Sequence, residues 1–353
     1  MDTLLVRKLR IGYQPISQDL SQPGDRRRVV FWASHRGHEI VTDLTQATDV
    51  ILVSEKGDLN GFTRNTTGTP IIFDLVDAYL APENGTKDLL RGVSKVLNGQ
   101  ISGPPKRFTK FVENLCLQAS AVICSSPEQR ETIKPFSKNV HVILDSHDEL
   151  PILPFRKHNQ RSMKSILWEG MPATIRGVAQ LVEAANVIGK NKQLELAFVT
   201  DEKYFLLSNR YFQRDTAELL SSILKSASSS SKLIPWSTKN LVEQANLSNL
   251  AVIPIDLSKP IQYLKPENRL LIMWRLGLPC LTSPSPASVR VAKTAKVDSY
   301  CNSPTEWLYK IAQILENQDC AEENVTLGQE YLKEFHNTDL LLERWDRAFE
   351  SAL

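Results

Sequence analysis

The stretch Lys265 to Thr282, KPENRLLIMWRLGLPCLT, holds the residue types best suited to chemistry. Lys265 and Arg269 flank a proline, and Leu270, Leu271, Met273, Trp274 and Leu276 fall on successive turns ahead of Gly277. This spacing predicts a short helix that ends at the glycine and feeds a buried strand over 278–281. Pro266 suits a first helical turn, because its missing N–H would have had no partner within the helix. The free amides beside it lie at the positive end of the helix dipole, next to two cations, and so suit a phosphate group. The alternative is an ordinary core helix whose charges are only solvated.

A second set lies nearer the N-terminus. Arg26, Arg27 and Arg28 open a helix, where the dipole disfavours cations, so they call for a compensating anion or plain solvent. Asp25 is positioned to cap that helix, and Gly24 lets the backbone approach a ligand at the carboxyl edge of a sheet. Asp74 and Asp77, in FDLVDAYL, sit at a strand end, where a carboxylate can act as a base or cap a turn. His38 and His147 are weaker candidates for the base, since a histidine near a helix end can equally be structural. The five cysteines, 116, 124, 280, 301 and 320, are odd in number and widely spaced, and read as reduced core residues. There is no Asp-x-Asp motif for a metal, and no G-x-G-x-x-G follows a strand as a nicotinamide site requires.

These residues need elements to hold them. Apolar runs over 9–13, 49–54, 70–75, 119–125 and 139–144 alternate with helical or loop segments. A second series, at 165–168, 194–200, 232–235, 250–255, 279–282 and 297–300, follows a proline- and charge-rich stretch at 148–161. Strands rich in Val and Ile between helices imply parallel sheets covered on both faces, with ligands at the carboxyl ends. The fold expected is therefore α/β, with two Rossmann-like domains facing across a cleft. Their limits are 1–155 and 156–335. A C-terminal helix over 336–353 is expected to cross back onto the first, carried by Leu340, Leu341, Trp345 and Phe349. The segment from Pro82 to Pro105 reads as a helix within a long excursion, an acceptor loop or a lid, and the serines of 226–231 read as a solvated loop.

At 353 residues, two cores are the better expectation. With 23% charged residues and a net charge of +2, no bulk field points to nucleic acid. No apolar run approaches the roughly 18 residues of a membrane span, and MDTLLVRKLRIGY lacks a leader's apolar region. A soluble cytoplasmic protein is expected.

Four segments in order resemble the GT-B glycosyltransferases, in particular the large retaining, family 4-like group that includes many bacterial polysaccharide and lipid glycosyltransferases. PGDRRRVVFWASHRGHEIV is similar to that family's first glycine loop and helix, and ASAVICSSPEQRETI to the segment that closes the first lobe. ILWEGMPATIRGVAQLVEAANVI resembles the opening of the donor lobe, and KPENRLLIMWRLGLPCLTS the donor-phosphate helix. The resemblance implies metal-independent transfer from a nucleoside diphosphate sugar, without a further cofactor, to a carbohydrate or glycolipid acceptor, and it admits a peripheral membrane contact. It implies Arg176 and Lys265 at the donor diphosphate, with Glu169 and Gly170 lining the same loop. It also implies Thr200 with Asp201, Trp236 and Asp256 near the sugar, base and ribose, Glu267, Asn268 and Arg269 at the helix start, and Asp77 at the acceptor hydroxyl. The family's two glutamates fall on Leu264 and Ile272, both apolar, so Glu267 is the substitute contact for the ribose or sugar. An epimerase of the same fold and a catalytically silent GT-B-like binding subunit are the other readings.

Overall fold

The computed structural model describes residues 7–64, 68–81, 85–157, 163–191, 193–207, 211–225, 227 and 229–353. Two units emerge: residues up to His147 with Leu264–Pro266 and Asn337–Leu353, and Asp148–Tyr263 with Glu267–His336. The first of these breaks falls between His147 and Asp148. Pro82, Ser226 and Ser228 lie outside the described residues.

The first unit runs β1 (Arg10–Gln14), α1 (Pro23–Arg26), α2 (Val29–Arg36), β2 (Glu39–Val41), β3 (Val50–Ser54), β4 (Ile71–Leu75), α3 (Gly85–Leu97), α4 (Phe108–Gln118), β5 (Ala121–Cys124), α5 (Pro127–Ile133) and β6 (Val140–Val142). The strands form one six-stranded sheet in the order β2-β1-β3-β4-β5-β6, every pair parallel. All five residues of β4 are buried, which is why IIFDL carries no polar alternation. The register pairs Ser54 with Asp74 and Leu75 with Cys124. Glu55, Asp77 and Ser125, just beyond the strands, therefore come to one edge.

The second unit runs β7 (Met163–Glu169), a 3-10 stretch (Pro172–Leu181), α6 (Val182–Asn191), β8 (Gln193–Thr200), β9 (Lys203–Leu207), β10 (Tyr211–Asp215), α7 (Thr216–Ile223), β11 (Ser230–Pro235), α8 (Thr238–Leu247), β12 (Leu250–Ile253), α9 (Pro260–Tyr263), α10 (Asn268–Arg275), β13 (Cys280–Thr282), α11 (Pro286–Ala295), α12 (Pro304–Glu316) and α13 (Gln318–Phe335). Its main sheet is parallel, in the order β11-β8-β7-β12-β13, and β9 pairs with β10 as a separate antiparallel hairpin. Two expectations are corrected. The serine tract is not wholly loop, since Ser230 and Ser231 open β11, and residues 297–300 contribute only a bridge from Tyr300 to Thr282.

The last helix, α14 (Thr338–Glu350), belongs to the first unit. Leu341, Leu342, Trp345, Ala348 and Phe349 are buried in one cluster with Ile11, Tyr13, Trp32 and Ile143. Trp32 stacks on Trp345 at 5.9 Å between centroids and donates its indole N–H to Asp346 at 2.7 Å. Arg36 pairs with the same carboxylate. Burying each such aromatic contributes roughly 1.5–3 kcal/mol, so docking on this face holds α14 as firmly as its own helical bonds. Among the described residues no helix is long and apolar enough to cross a membrane.

Candidate functional site

At the carboxyl edge of the first sheet, the arginine run resolves into separate roles. Arg28 is fully buried and reaches Asp74 through Nη2 at 2.6 Å and Nε at 2.8 Å. Its Nη1 donates to Asp145 at 3.1 Å and to the Ile143 carbonyl at 2.8 Å. Burial pushes the Asp74 carboxyl up, and the guanidinium pulls it back down. Asp74 is thus neither a free base nor a cap, and Arg28 meets neither solvent nor a ligand. Arg26 is half-buried and donates to the Ser21 carbonyl.

Asp25 does not cap a helix. Its carboxylate, fully buried, accepts from the Tyr13 hydroxyl at 2.6 Å, the Ile16 amide at 2.7 Å, and the Ser17 amide and hydroxyl at 3.0 and 2.9 Å. It pins the loop after β1. Gly24 serves that loop as well, because a Cβ there would lie 2.3 Å from Ile16 Cδ1, so its close approach is to protein and not to a ligand. Asp25→Ala would strand several buried donors and is expected to cost about 2 kcal/mol, to be read as a lower melting temperature. His38 accepts the Leu9 amide and its ring lies against Trp32; burial lowers its pKa.

Beside this frame lie Glu55, Asp77 and Lys265. Asp77 donates its amide to Glu55 Oε2 at 2.8 Å, and its carboxylate stands 3.5 Å from Lys265 Nζ, each side chain about a third exposed. Gln129 holds the strand exit by donating to the carbonyls of Leu75 and Asp77. Burial, reinforced by the Asp77 charge, pushes Glu55 up to about 7. Glu55 was legible only as the residue directly after DVILVS, and that place at a strand's carboxyl end is the signal that finds it. Lys265, expected at a donor diphosphate, here faces the Asp77 carboxylate.

In the second unit, β7 ends at Glu169, which accepts the Trp236 indole N–H through Oε1 at 3.0 Å. The Trp236 amide donates to the Thr200 carbonyl at 3.0 Å. Arg269 comes up from the first turn of α10 and donates through Nη1 to the Glu169 carbonyl at 3.1 Å. A Cβ on Gly170 would stand 2.9 Å from that nitrogen, so glycine is needed for the loop to lie over the guanidinium. Burial lowers Arg269 from its ordinary range and the Glu169 charge opposes this. The N-cap residue Glu267 gives no side-chain hydrogen bond to the first-turn amides. The Thr200 hydroxyl and Asn268 Oδ1 are buried and have no protein partner. A half-buried cation, uncapped amides and unused polar atoms around one loop together favour an anionic, hydrogen-bonding ligand.

Several expected residues lie elsewhere or are engaged. Glu267 is buried, with both carboxylate oxygens 3.1 Å from Arg290 Nη2, and no sequence signal linked this pair. Pro266 precedes α10 and is not in its first turn, because Glu267 takes the N-cap place. Asp256 is held in its own turn by Ser258 and Lys259, which lower its pKa. Asp201 is exposed and offers its carbonyl to Thr216. Arg176, expected just before the donor-lobe helix, is exposed on the 3-10 stretch that precedes α6. Among the described residues no group of three His, Cys, Asp or Glu side chains is placed to hold a metal ion.

No protein-family profile matches the chain, and no curated protein matches it. Solved structures do. The complex of Anabaena Alr3699/HepE with UDP aligns with a TM-score of 0.66 at 10% identity, over 97% of this chain and 100% of that one. WaaG, a glycosyltransferase involved in lipopolysaccharide biosynthesis, aligns at 0.55 and 10% identity over 92% and 83%. A TarM mutant of S. aureus, in complex with UDP among other ligands, aligns at 0.59 and 13% over 85% of this chain, which spans 55% of the TarM chain. At such identities the likeness is one of fold, the two parallel sheets of the GT-B architecture.

Proposed function

We propose that this chain is a GT-B glycosyltransferase that takes a sugar from a nucleoside diphosphate donor to an acceptor hydroxyl, on a carbohydrate or glycolipid, in the cytoplasm. One observation carries the reading: Arg269, half-buried under the Gly170 loop, donates to a backbone carbonyl beside a helix start with no side-chain cap. The diphosphate supplies the anion that this arrangement favours. The leaving group gains charge as the glycosidic bond breaks, and a fixed guanidinium with helix amides stabilises that charge without a metal. Arg176 and Lys265 add cations. Trp236 offers the base a ring face, and Thr200 and Asn268 offer the sugar or ribose their unused atoms. Gly170 gives the Arg269 guanidinium room beneath the loop, and Glu169 orients Trp236. Asp77 contacts the acceptor hydroxyl, with Lys265 fixing its carboxylate. Transfer with retention accords with the motif order in the sequence.

In a thermal-shift panel of nucleoside diphosphates and their sugars, one base is expected to stabilise the fold by about 2.7 kcal/mol at a hundredfold excess over Kd, read as a raised midpoint. Arg176→Ala with Lys265→Ala is expected to abolish transfer at an unchanged melting temperature, since neither side chain is buried. A panel without any shift, or full transfer by the double variant, would overturn the assignment. A silent GT-B-like subunit is the second reading, favoured by the capture of Glu267 by Arg290 and by the burial of Ile272 where the family carries a glutamate. Binding without turnover of any donor–acceptor pair would select it.

A further inference from the structure

The turn after β3 and the end of α3 bring two lysines together. Gly57 returns its amide to the Ser54 carbonyl at 2.9 Å, so Glu55 and Lys56 are the central residues of a tight turn at the carboxyl edge of the first sheet. Gln100 joins that turn to α3. Its side-chain amide donates to the Lys56 carbonyl at 3.1 Å, and its side-chain oxygen accepts from Lys95 Nζ at 3.2 Å. The Gln100 backbone amide donates to the Lys95 carbonyl at 2.9 Å, which fixes the bridging residue. Lys95 Nζ also stands 4.6 Å from the centre of the buried Phe108 ring, and Arg91 lies over the same ring at 6.0 Å.

Lys56 and Lys95 are both half-buried, and their charges are close enough to repel. Glu55 is the carboxyl whose charge reaches both, and among the described residues it comes within ion-pair distance of neither. Burial lowers Lys95 most and Lys56 adds to it, while Glu55 pulls it back up and Arg91 pushes it down, to about 7. Two half-buried ammonium groups held side by side are unfavourable until an anion joins them. Asp77 lies on the other side of Glu55, which accepts its amide. The edge thus sets a carboxylate suited to a hydroxyl beside two cations suited to an acid.

We propose that Lys56 and Lys95 bind an acidic group, phosphate or carboxylate, on the acceptor whose hydroxyl meets Asp77. The inference rests on the placing of Asp77 at that hydroxyl and narrows the acceptor to anionic carbohydrates and their conjugates. The bound anion favours the ammonium form of Lys95, so above pH 7 binding draws a proton from solvent.

Calorimetric titration of the full chain with inorganic phosphate, acetate and glucose, at about pH 8.5 in two buffers of different ionisation heat, tests it. At least one anion is expected to bind with uptake of about one proton, and the better of the two names the acid. Glucose is the neutral control. Lys95→Met keeps an apolar stem over Phe108 and is expected to abolish the proton uptake and weaken the anion about tenfold, at a melting temperature no lower than the parent's. Lys56→Met should weaken it as well. Failure of both anions to bind, or glucose bound as tightly as they are, overturns the proposal. So does binding without proton uptake or binding that survives in Lys95→Met, which would put the anion elsewhere, as at the start of α10. The titration needs neither nucleotide nor turnover, so its failure leaves the nucleotide panel standing, and a failed panel leaves the titration standing.

Discussion

Arg28→Ala is expected to destabilise the protein by about 3–5 kcal/mol, because it leaves a buried carboxylate without its counter-charge. Asp74 is 1% exposed and takes two hydrogen bonds from the guanidinium, with Asp145 taking a third. The side chain also lies over Trp345 at 5.7 Å, so truncation loosens the seat of α14 as well. At about 2–4 °C per kcal/mol for a domain of this size, the melting temperature should fall by about 10 °C. Arg28→Met with Asp74→Asn should cost less than Arg28→Ala, since it removes both charges of the strongest pair. Calorimetric melts of the two variants decide the matter: a loss under about 1 kcal/mol for Arg28→Ala would mean that the carboxylates find other partners.

The second large effect is a stability minimum near neutral pH. Glu55, with an ordinary value of 4.5, is held at about 7 by burial and the Asp77 charge, against the attraction of Lys56 and Lys95. Between those two values the folded protein keeps a proton that the unfolded chain has released, so stability falls as pH rises from 4.5 through 7. The integrated loss is on the order of 3 kcal/mol. Lys95 acts in the next window. Burial and repulsion from Lys56 lower it from 10.5 to about 7, so there the unfolded chain binds the extra proton and stability climbs between 7 and 10.5. Glu55→Gln keeps an acceptor for the Asp77 amide but cannot ionise. The variant should match the parent at pH 4, exceed it at pH 7.5, and show a flatter profile in chemical denaturation. A parent profile flat between pH 5 and 7 would refute the assignment.

What was legible in the sequence were the features that rest on nearby residues. The Val and Ile runs of β3, β4, β5, β8 and β12 place themselves, because strands buried on both faces tolerate little else. Leu341, Trp345 and Phe349 fall at helical spacing and dock where a long apolar stripe must. Within the candidate site, Gly170, Glu169, Trp236, Thr200 and Arg269 lie around one loop because each stands at the end of a strand or the start of a helix. Pairings across long separations were not legible. Nothing near Arg28 names Asp74 as its partner 46 positions on, and nothing near Glu267 names Arg290. The β9–β10 hairpin is two short strands with Phe205 and Phe212 exposed, so it lacks the buried alternation that announces a strand.

The membership of residues 337–353 in the first unit has a consequence for how the molecule is made. Trp32, Ile11 and their neighbours are covered by a segment that is translated long after the rest of their sheet. At ordinary synthesis rates the intervening stretch takes about 10–40 s to translate, and throughout that interval the nascent first sheet has one oily flank bare. Birth order therefore runs against folding order, and a chaperone that shields that flank until residues 337–353 have emerged should raise the yield of native protein.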